Sequence, residues 1–218
     1  MKRIVSLGLA APLLLSACAQ APAPTAREAG ATVTCDYRTT NQPAKPIDPP
    51  TTSGVPATGT STVVLHFAAG DVTVTLDRAA APCTAHSFES LAQQGWFTGT
   101  SCHRLGTTNV YFLQCGDPTG TGRGGPGYWF DDELDATASP YPAGVVAMAN
   151  SGPNTNGSQF FIVYRESGWQ PNYTQFGRID AAGLAVIEGV AGAGSDNSEG
   201  QGFGRPKADA AITSVSIG

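Results

Sequence analysis

Charge is scarce in this chain: 12 Lys and Arg stand against 17 Asp and Glu among 218 residues, a formal net charge of −5. So few cations offer no basic stripe to a phosphate backbone, which excludes nucleic acid as a partner. Histidine is rarer still, at three residues, and no C-x-x-C pair occurs, so a zinc site lacks its ligands. The absence of G-x-S-x-G removes the serine-hydrolase elbow. The run GTGRGG, 120–125, lacks the Lys-Ser/Thr ending of a phosphate loop and reads as a surface loop. Asp131, Asp132 and Glu133 are acidic but lack the ligand spacing of a calcium loop. No metal and no cofactor is expected.

Long apolar runs are also missing. The stretch from Ile4 to Leu15, preceded by Lys2 and Arg3, is too short to cross a bilayer but suits the core of a secretory signal. It ends in Leu15, Ser16, Ala17 and Cys18, which resembles a bacterial lipobox whose Cys is acylated and becomes the new N-terminus. Two or three acyl chains hold a protein on a membrane far better than one. From there to Thr60 the composition turns to Ala, Pro and Thr without apolar periodicity, which reads as an extended tether. Its island TCDYRTTNQPAKPIDPP carries a Cys and a Tyr equipped to dock. The expected organisation is a signal peptide over 1–17, a lipid-anchored tether over 18–60 and one domain over 61–218. The expected place is extracytoplasmic, anchored to the cell membrane by Cys18.

With Cys18 acylated, Cys35, Cys83, Cys102 and Cys115 remain, an even number in an oxidising compartment, so disulfides are expected. Three pairings are open. Cys102 and Cys115 lie on successive strands, yet Arg104 shares parity with Cys102 whereas Gln114 has opposite parity to Cys115. If Arg104 and Gln114 face one groove, the two thiols face opposite ways unless a bulge intervenes.

The domain reads as mainly β. STVVLHF and VTVTLD alternate around a turn at Ala69-Gly70-Asp71 and form a hairpin. TAHSFESLAQQG places Ala85, Phe88, Leu91 and Ala92 on one helical stripe and stops at Gly95. Strands follow at Ser101 to Leu105, Tyr111 to Cys115, Gly144 to Ala149, Gln159 to Tyr164 and Thr174 to Ile179. LAVIEGVAG is a second short helix and AITSVSI a closing strand. The expected fold is a closed eight-stranded antiparallel β-barrel capped by two short helices.

The most informative stretch is MANSGPNTNGSQFFIVY, Met148 to Tyr164. A loop of Gly, Pro, Asn, Thr and Ser joins two apolar strands, and Gln159 and Phe161 leave the second strand on the same face. One amide and one ring on that face suit a shallow groove for an extended peptide. The stretch closely resembles the signature of the cyclophilins, the peptidyl-prolyl cis/trans isomerases. CHRL, YFLQCGD, GDPTGTGRGGPGYWFDDE and a Trp followed by FGRI extend the resemblance, in order, from about Thr60 to the C-terminus.

The resemblance implies isomerase activity on X-Pro bonds, with proline-containing peptides and unfolded exported proteins as partners and cyclosporin as a ligand. Residue by residue, it implies Arg104 as the catalytic group. Tyr111, Phe112, Gln114, Ala149, Asn150, Ser151, Gln159, Phe161, Trp169 and Tyr173 would bind the peptide. Gln170 stands where an aliphatic is common and Tyr173 where many members carry His, departures that bear on the proline pocket. His103, of opposite parity to Arg104, is expected in the core as a hydrogen-bonded residue. The competing class is a module that binds proline peptides with little turnover. Arg104 discriminates, because binding alone needs no donor aimed at the prolyl nitrogen.

Overall fold

The computed structural model describes residues 30–40, 42–135 and 141–218. The signal peptide and Cys18 lie outside the described residues. In chain order the strands are β1 (Thr32–Val33), β2 (Arg38–Thr39), β3 (Val55–Pro56), β4 (Thr60–Phe67) and β5 (Gly70–Asp77), followed by helix α1 (Pro82–Gln93). Then come β6 (Thr100–Ser101), β7 (Arg104–Thr108), β8 (Val110–Cys115), β9 (Tyr128–Trp129), β10 (Val145–Met148), β11 (Phe160–Arg165) and β12 (Gln175–Ile179). Helix α2 (Ala181–Gly192), β13 (Phe203–Gly204) and β14 (Ala211–Ile217) complete the chain.

Ten strands pair into one antiparallel sheet in the order β13-β7-β8-β11-β10-β12-β5-β4-β14-β6. Eight of them have four or more residues, and two-residue strands, β13 and β6, stand at the ends of the order. The extra strand at one end has a local cause. The single strand expected from Ser101 to Leu105 breaks at Cys102, whose N–H donates to Ala210 O at 3.0 Å, while the next N–H, of His103, donates to Gln114 O at 3.0 Å. Consecutive residues thus bond to β14's approach on one side and to β8 on the other.

The inward residues of the sheet, among them Leu65, Val74, Leu105, Leu113, Val146, Phe160 and Ile162, form one core with Phe88 and Leu91 of α1 and Ile187 of α2. The stripe expected on α1 is buried, and Gly95 follows it at φ 70°. No side chain at Ala81 caps α1. Instead Glu133 accepts from Cys83 N at 3.0 Å and from Thr84 N at 2.8 Å, placing a carboxylate at the helix's positive end. The α2 cap is local: Asp180 accepts from Gly183 N at 2.7 Å.

The island expected to dock, with its Cys and Tyr, lies against the domain, and the arm around it follows. Residues from 30 onward, apart from the undescribed 41, lie against the domain: β1 pairs β3, β2 pairs β9, and Cys35 is disulfide-bonded to Cys83 at the start of α1. Tyr37 is buried edge-on against Tyr128 and Phe130, at 5.6 Å to each, and its hydroxyl donates to Cys83 O at 2.8 Å. A disulfide and a buried aromatic supply what the arm's own composition lacks. The second disulfide joins Cys102 to Cys115. The parity objection fails because Cys102 sits in the break between β6 and β7, where alternation does not carry across.

Candidate functional site

The outer face of β7, β8, β11 and β10 carries a second hydrophobic cluster, separate from the core. Phe112, Phe161, Val145, Ala147, Val163 and Tyr141 are buried in it, and Ala149, Trp169, Tyr173 and Phe203 pack around them. Register explains who meets whom. Arg104 of β7 pairs with Gln114 of β8, Gln114 with Phe161 of β11, and Phe161 with Ala147 of β10. Arg104, Gln114, Phe161 and Ala147 therefore form one cross-strand row.

Phe161 is the centre of the aromatic floor. Its ring lies 5.0 Å from Trp169, 5.4 Å from Tyr173 and 6.0 Å from Phe112, each edge-on. Phe112 also lies 5.3 Å from Trp169. The guanidinium of Arg104 stands over the rim of this floor, 5.4 Å from the Phe112 ring and 5.9 Å from that of Phe203. Its Nε donates to Glu199 at 2.6 Å.

The polar side of the site is a relay of amides. Gln114 Nε2 donates to Gln159 Oε1 at 2.9 Å, and Gln159 Nε2 donates to the carbonyls of Gly122 and Gly124, both at 3.0 Å. Beyond it lies a polar cavity of about 370 Å³, bordered by Gln114, Gln159, Asn150, Ser151, Trp129 and the glycine loop. Asn150 spends its side chain on the scaffold, donating to Asn172 O at 3.2 Å and accepting from Gly152 N at 3.3 Å. What it can offer a peptide is its backbone. Ser151 is exposed, its N–H donating to Thr155 Oγ1 at 2.9 Å, and Ala149 N–H donates to Gln159 O at 2.9 Å.

Tyr111 does not join the site. It packs on the other side of β8, edge-on to Tyr164 at 5.9 Å and under the Arg165 guanidinium at 4.6 Å. The signal was in the sequence, since Tyr111 has opposite parity to Gln114. His103 is buried as expected but is not hydrogen-bonded: neither ring nitrogen has a partner. Burial pushes its pKa down, opposed by Asp117 and Glu199, so the ring is neutral and supplies no proton.

Several contributors escaped the sequence reading. Tyr141, fully buried beneath the floor, donates to Tyr173 O and accepts from Tyr173 N, both at 3.1 Å, and so pins the segment that carries Tyr173. Asp117 accepts from the backbone N–H groups of Thr119, Thr121, Gly122 and Arg123 at 2.7 to 3.1 Å. The amides of the glycine loop are thus taken by the protein's own carboxylate, which is why the loop is no phosphate cradle. The acidic triplet is equally committed. Asp131 pairs with Arg38 at 2.7 Å, Asp132 accepts from Asn154 N at 2.8 Å and from Asn156 Nδ2 at 2.8 Å, and Glu133 caps α1. Gly106 matters for its lack of a side chain, because a Cβ there would run into the Phe112 ring.

Comparison with known proteins bears on this geometry. Residues 62–217 match the family model of the cyclophilin type peptidyl-prolyl cis-trans isomerases. The chain is 43% identical over 200 residues to a probable peptidyl-prolyl cis-trans isomerase B of Mycobacterium leprae, covering 85% of this chain and 67% of that protein. It is 44% identical over 200 residues to the protein of the same name from Mycobacterium tuberculosis, covering 83% and 63% respectively. The chain thus spans about two thirds of the length of these relatives. A crystal structure of a Cryptosporidium parvum cyclophilin type peptidyl-prolyl cis-trans isomerase superposes with a TM-score of 0.63 at 30% identity, covering 73% of this chain and 98% of that one. A second, in the presence of the dipeptide Ala-Pro, superposes with a TM-score of 0.61 at 30% identity, covering 72% and 98%.

Proposed function

Because the chain belongs to the cyclophilin-type peptidyl-prolyl cis-trans isomerases, we propose that its groove accelerates rotation about X-Pro bonds, with Arg104 acting on the prolyl nitrogen. One observation carries this assignment: the only cation against the aromatic floor, among the described residues, is the Arg104 guanidinium 5.4 Å from the Phe112 ring. Resonance in the X-Pro amide sets a barrier of roughly 18 to 20 kcal/mol. The planar nitrogen is a poor acceptor, whereas the twisted, pyramidal nitrogen of the transition state accepts a hydrogen bond well. A guanidinium donor therefore binds the transition state more tightly than the ground state.

The pyrrolidine ring would sit on Phe112 and Phe161 beside Trp169. Gln114, Gln159 and the Asn150 backbone would hold the chain while one side of the bond turns. No bond breaks and no cofactor is needed. Arg104→Ala should fold normally and lose on the order of 10² to 10³ in kcat/KM on an Ala-Pro peptide, and Arg104→Lys should not restore it, since a point charge lacks the planar fork. Wild-type turnover by folded Arg104→Ala would overturn the catalytic assignment. Loss of turnover with peptide binding largely kept supports it over a binding module.

The lipobox-like Leu15 to Cys18 supports, in addition, a protein acylated at Cys18 and tethered outside the cytoplasm, where unfolded exported proteins would be its clients. Intact-mass analysis of the native protein should find the added lipid. An unmodified N-terminus beyond Cys18 would refute the anchor. The aromatic floor supports cyclosporin as a competing ligand. The paired hydrogen bonds of Cys102 and His103 support a sheet closed into a barrel at that seam.

A further inference from the structure

We propose that Glu199 is a positioning residue for Arg104, holding the guanidinium in the orientation that turnover requires. The inference rests on the catalytic assignment of Arg104 above. Glu199 lies 95 residues further along the chain, in the connection between α2 and β13, and its carboxylate accepts from Arg104 Nε at 2.6 Å. Engaging Nε fixes the plane of the guanidinium and leaves the two terminal nitrogens for a substrate. The same segment delivers Phe203, whose ring is 5.9 Å from the guanidinium and 6.5 Å from the Phe112 ring of β8, so the two rings lie side by side beneath it. Arg104 is thus held by three side chains from two separate segments.

The connection is itself ordered well enough to aim a side chain. Glu199 N–H donates to Phe203 O at 3.1 Å and Gly200 N–H to Asn197 O at 3.1 Å. Asn197 takes φ 59° and accepts from Gly202 N at 2.8 Å, while Asp196 accepts from Ser198 N at 3.0 Å and Arg205 N at 2.9 Å. Phe203 and Gly204 then pair with Gly106 and Leu105 of β7, the strand that begins with Arg104. The segment holding the carboxylate is therefore tied to the strand holding its partner.

Both side chains are partly open to water, 39% for Arg104 and 45% for Glu199. Such a pair contributes little to stability, because water screens both charges. Its value lies in orientation. Glu199→Ala should lower kcat by roughly two- to five-fold with KM and melting temperature nearly unchanged, the loss that 1 kcal/mol or less of misplacement produces. Glu199→Gln, which keeps an acceptor oxygen, should recover most of the rate, and Glu199→Lys should lose more than Glu199→Ala. In an Arg104→Ala background, Glu199→Ala should have no further effect.

The protein is assayed on an Ala-Pro peptide with circular dichroism as the folding control. If Glu199→Ala turns over at the wild-type rate while Arg104→Ala is impaired, the positioning role is wrong and the catalytic assignment stands. If Arg104→Ala itself keeps wild-type activity, the assignment beneath it fails instead. A Glu199→Ala defect that persists in the Arg104→Ala background also overturns the proposal, because the carboxylate would then act through another group.

Discussion

Replacing Asp117 should both destabilise the domain and damage the groove, although the residue touches no part of the aromatic floor. Its Oδ2 accepts from three consecutive backbone N–H groups, those of Thr121, Gly122 and Arg123, and its Oδ1 from Thr119 N and Thr119 Oγ1. Hydrogen bonds to a charged group are worth about 1.5 to 3 kcal/mol each. The residues that donate them are largely exposed, so their amides regain water when the carboxylate is removed. That brings the expected cost of Asp117→Ala to about 3 kcal/mol, well under the sum of these five bonds. In a domain of this size it corresponds to a fall in Tm of about 6 to 12 °C. Asp117→Asn should cost about half as much, since its carbonyl can serve the Oδ2 donors while its NH₂ confronts the Thr119 N–H.

The loop that Asp117 organises presents Gly122 O and Gly124 O to Gln159 Nε2. Both variants should therefore lose several-fold in kcat/KM, measured well below their melting temperatures. The pH dependence is a separate check. Burial alone would raise the Asp117 pKa, but hydrogen bonds from Thr119, Gly124 and Gly122 outweigh it and hold the carboxyl below its ordinary value. A carboxyl depressed on folding stabilises the native state fully above its unfolded pKa, about 3.9, and loses that contribution as pH falls through the folded value. The gap in unfolding free energy between wild type and Asp117→Ala should be constant near neutrality and close below about pH 4. A variant that melts within a degree of wild type at pH 7 and turns over normally would refute the reasoning.

Gly106→Ala should displace the Phe112 ring, because the new methyl would occupy the ring's place; the expected result is a fold that survives but a several-fold higher KM for Ala-Pro peptides, read in the same isomerase assay. Removing the Cys35–Cys83 bridge by a double Ala substitution should lower stability by about 4 kcal/mol, the loop-closure entropy for a separation of 48 residues. Denaturant unfolding measures that loss, and protease should then cut the arm before residue 60 while the rest of the domain resists.

Much of the site was legible because it depends on strand parity. Gln114, Phe112 and Phe161 leave their strands on one face, and antiparallel register carries that face across to Arg104. The same rule argued against Tyr111, which resemblance nonetheless placed in the groove. Parity misled once, for Cys102 and Cys115, because it was carried through a strand that breaks at Cys102. The α1 stripe was readable from its period of 3.6, but the carboxylate capping the helix was not, since Glu133 is 50 residues away from Cys83. Glu199, Phe203 and Tyr141 were invisible for the same reason. Glu199 and Tyr141 lie in connections and Phe203 in a two-residue strand, none long enough to show a period, and only the fold brings them to Arg104 and the floor.

The arm before residue 60 shows composition and individual residues pointing different ways. Composition alone predicts an unburied tether, and for Ala, Pro and Thr without periodicity that inference is sound. It breaks down where two residues of another kind, Cys35 and Tyr37, find partners on α1 and on the Tyr128–Phe130 segment. Docking in turn places Thr40 and Gln42 at the border of the polar cavity beside Gln159. An apparent linker thereby becomes part of the wall of the groove.

The run Phe160 to Tyr164 carries one more lesson about the groove. A half-exposed strand alternates, yet these five residues are buried without interruption, as are all four of β10. A continuous apolar run in a sheet means that both faces are covered. The inner face is covered by the core, and the outer by Tyr141, Trp169 and Tyr173, which pack on Phe161. Only Trp169 and Tyr173 among these three are partly exposed. Phe161 is consequently fixed from below by the sheet and from the side by three rings, with Gln114 its partner across β8 and Arg104 the next residue in the same row. In the proposed reaction a proline ring entering there would meet the aromatic floor and the Arg104 cation together. With the ring held there, the proposed rotation about the X-Pro bond would be the only large motion in the site, the condition under which a donor at the prolyl nitrogen would lower the barrier.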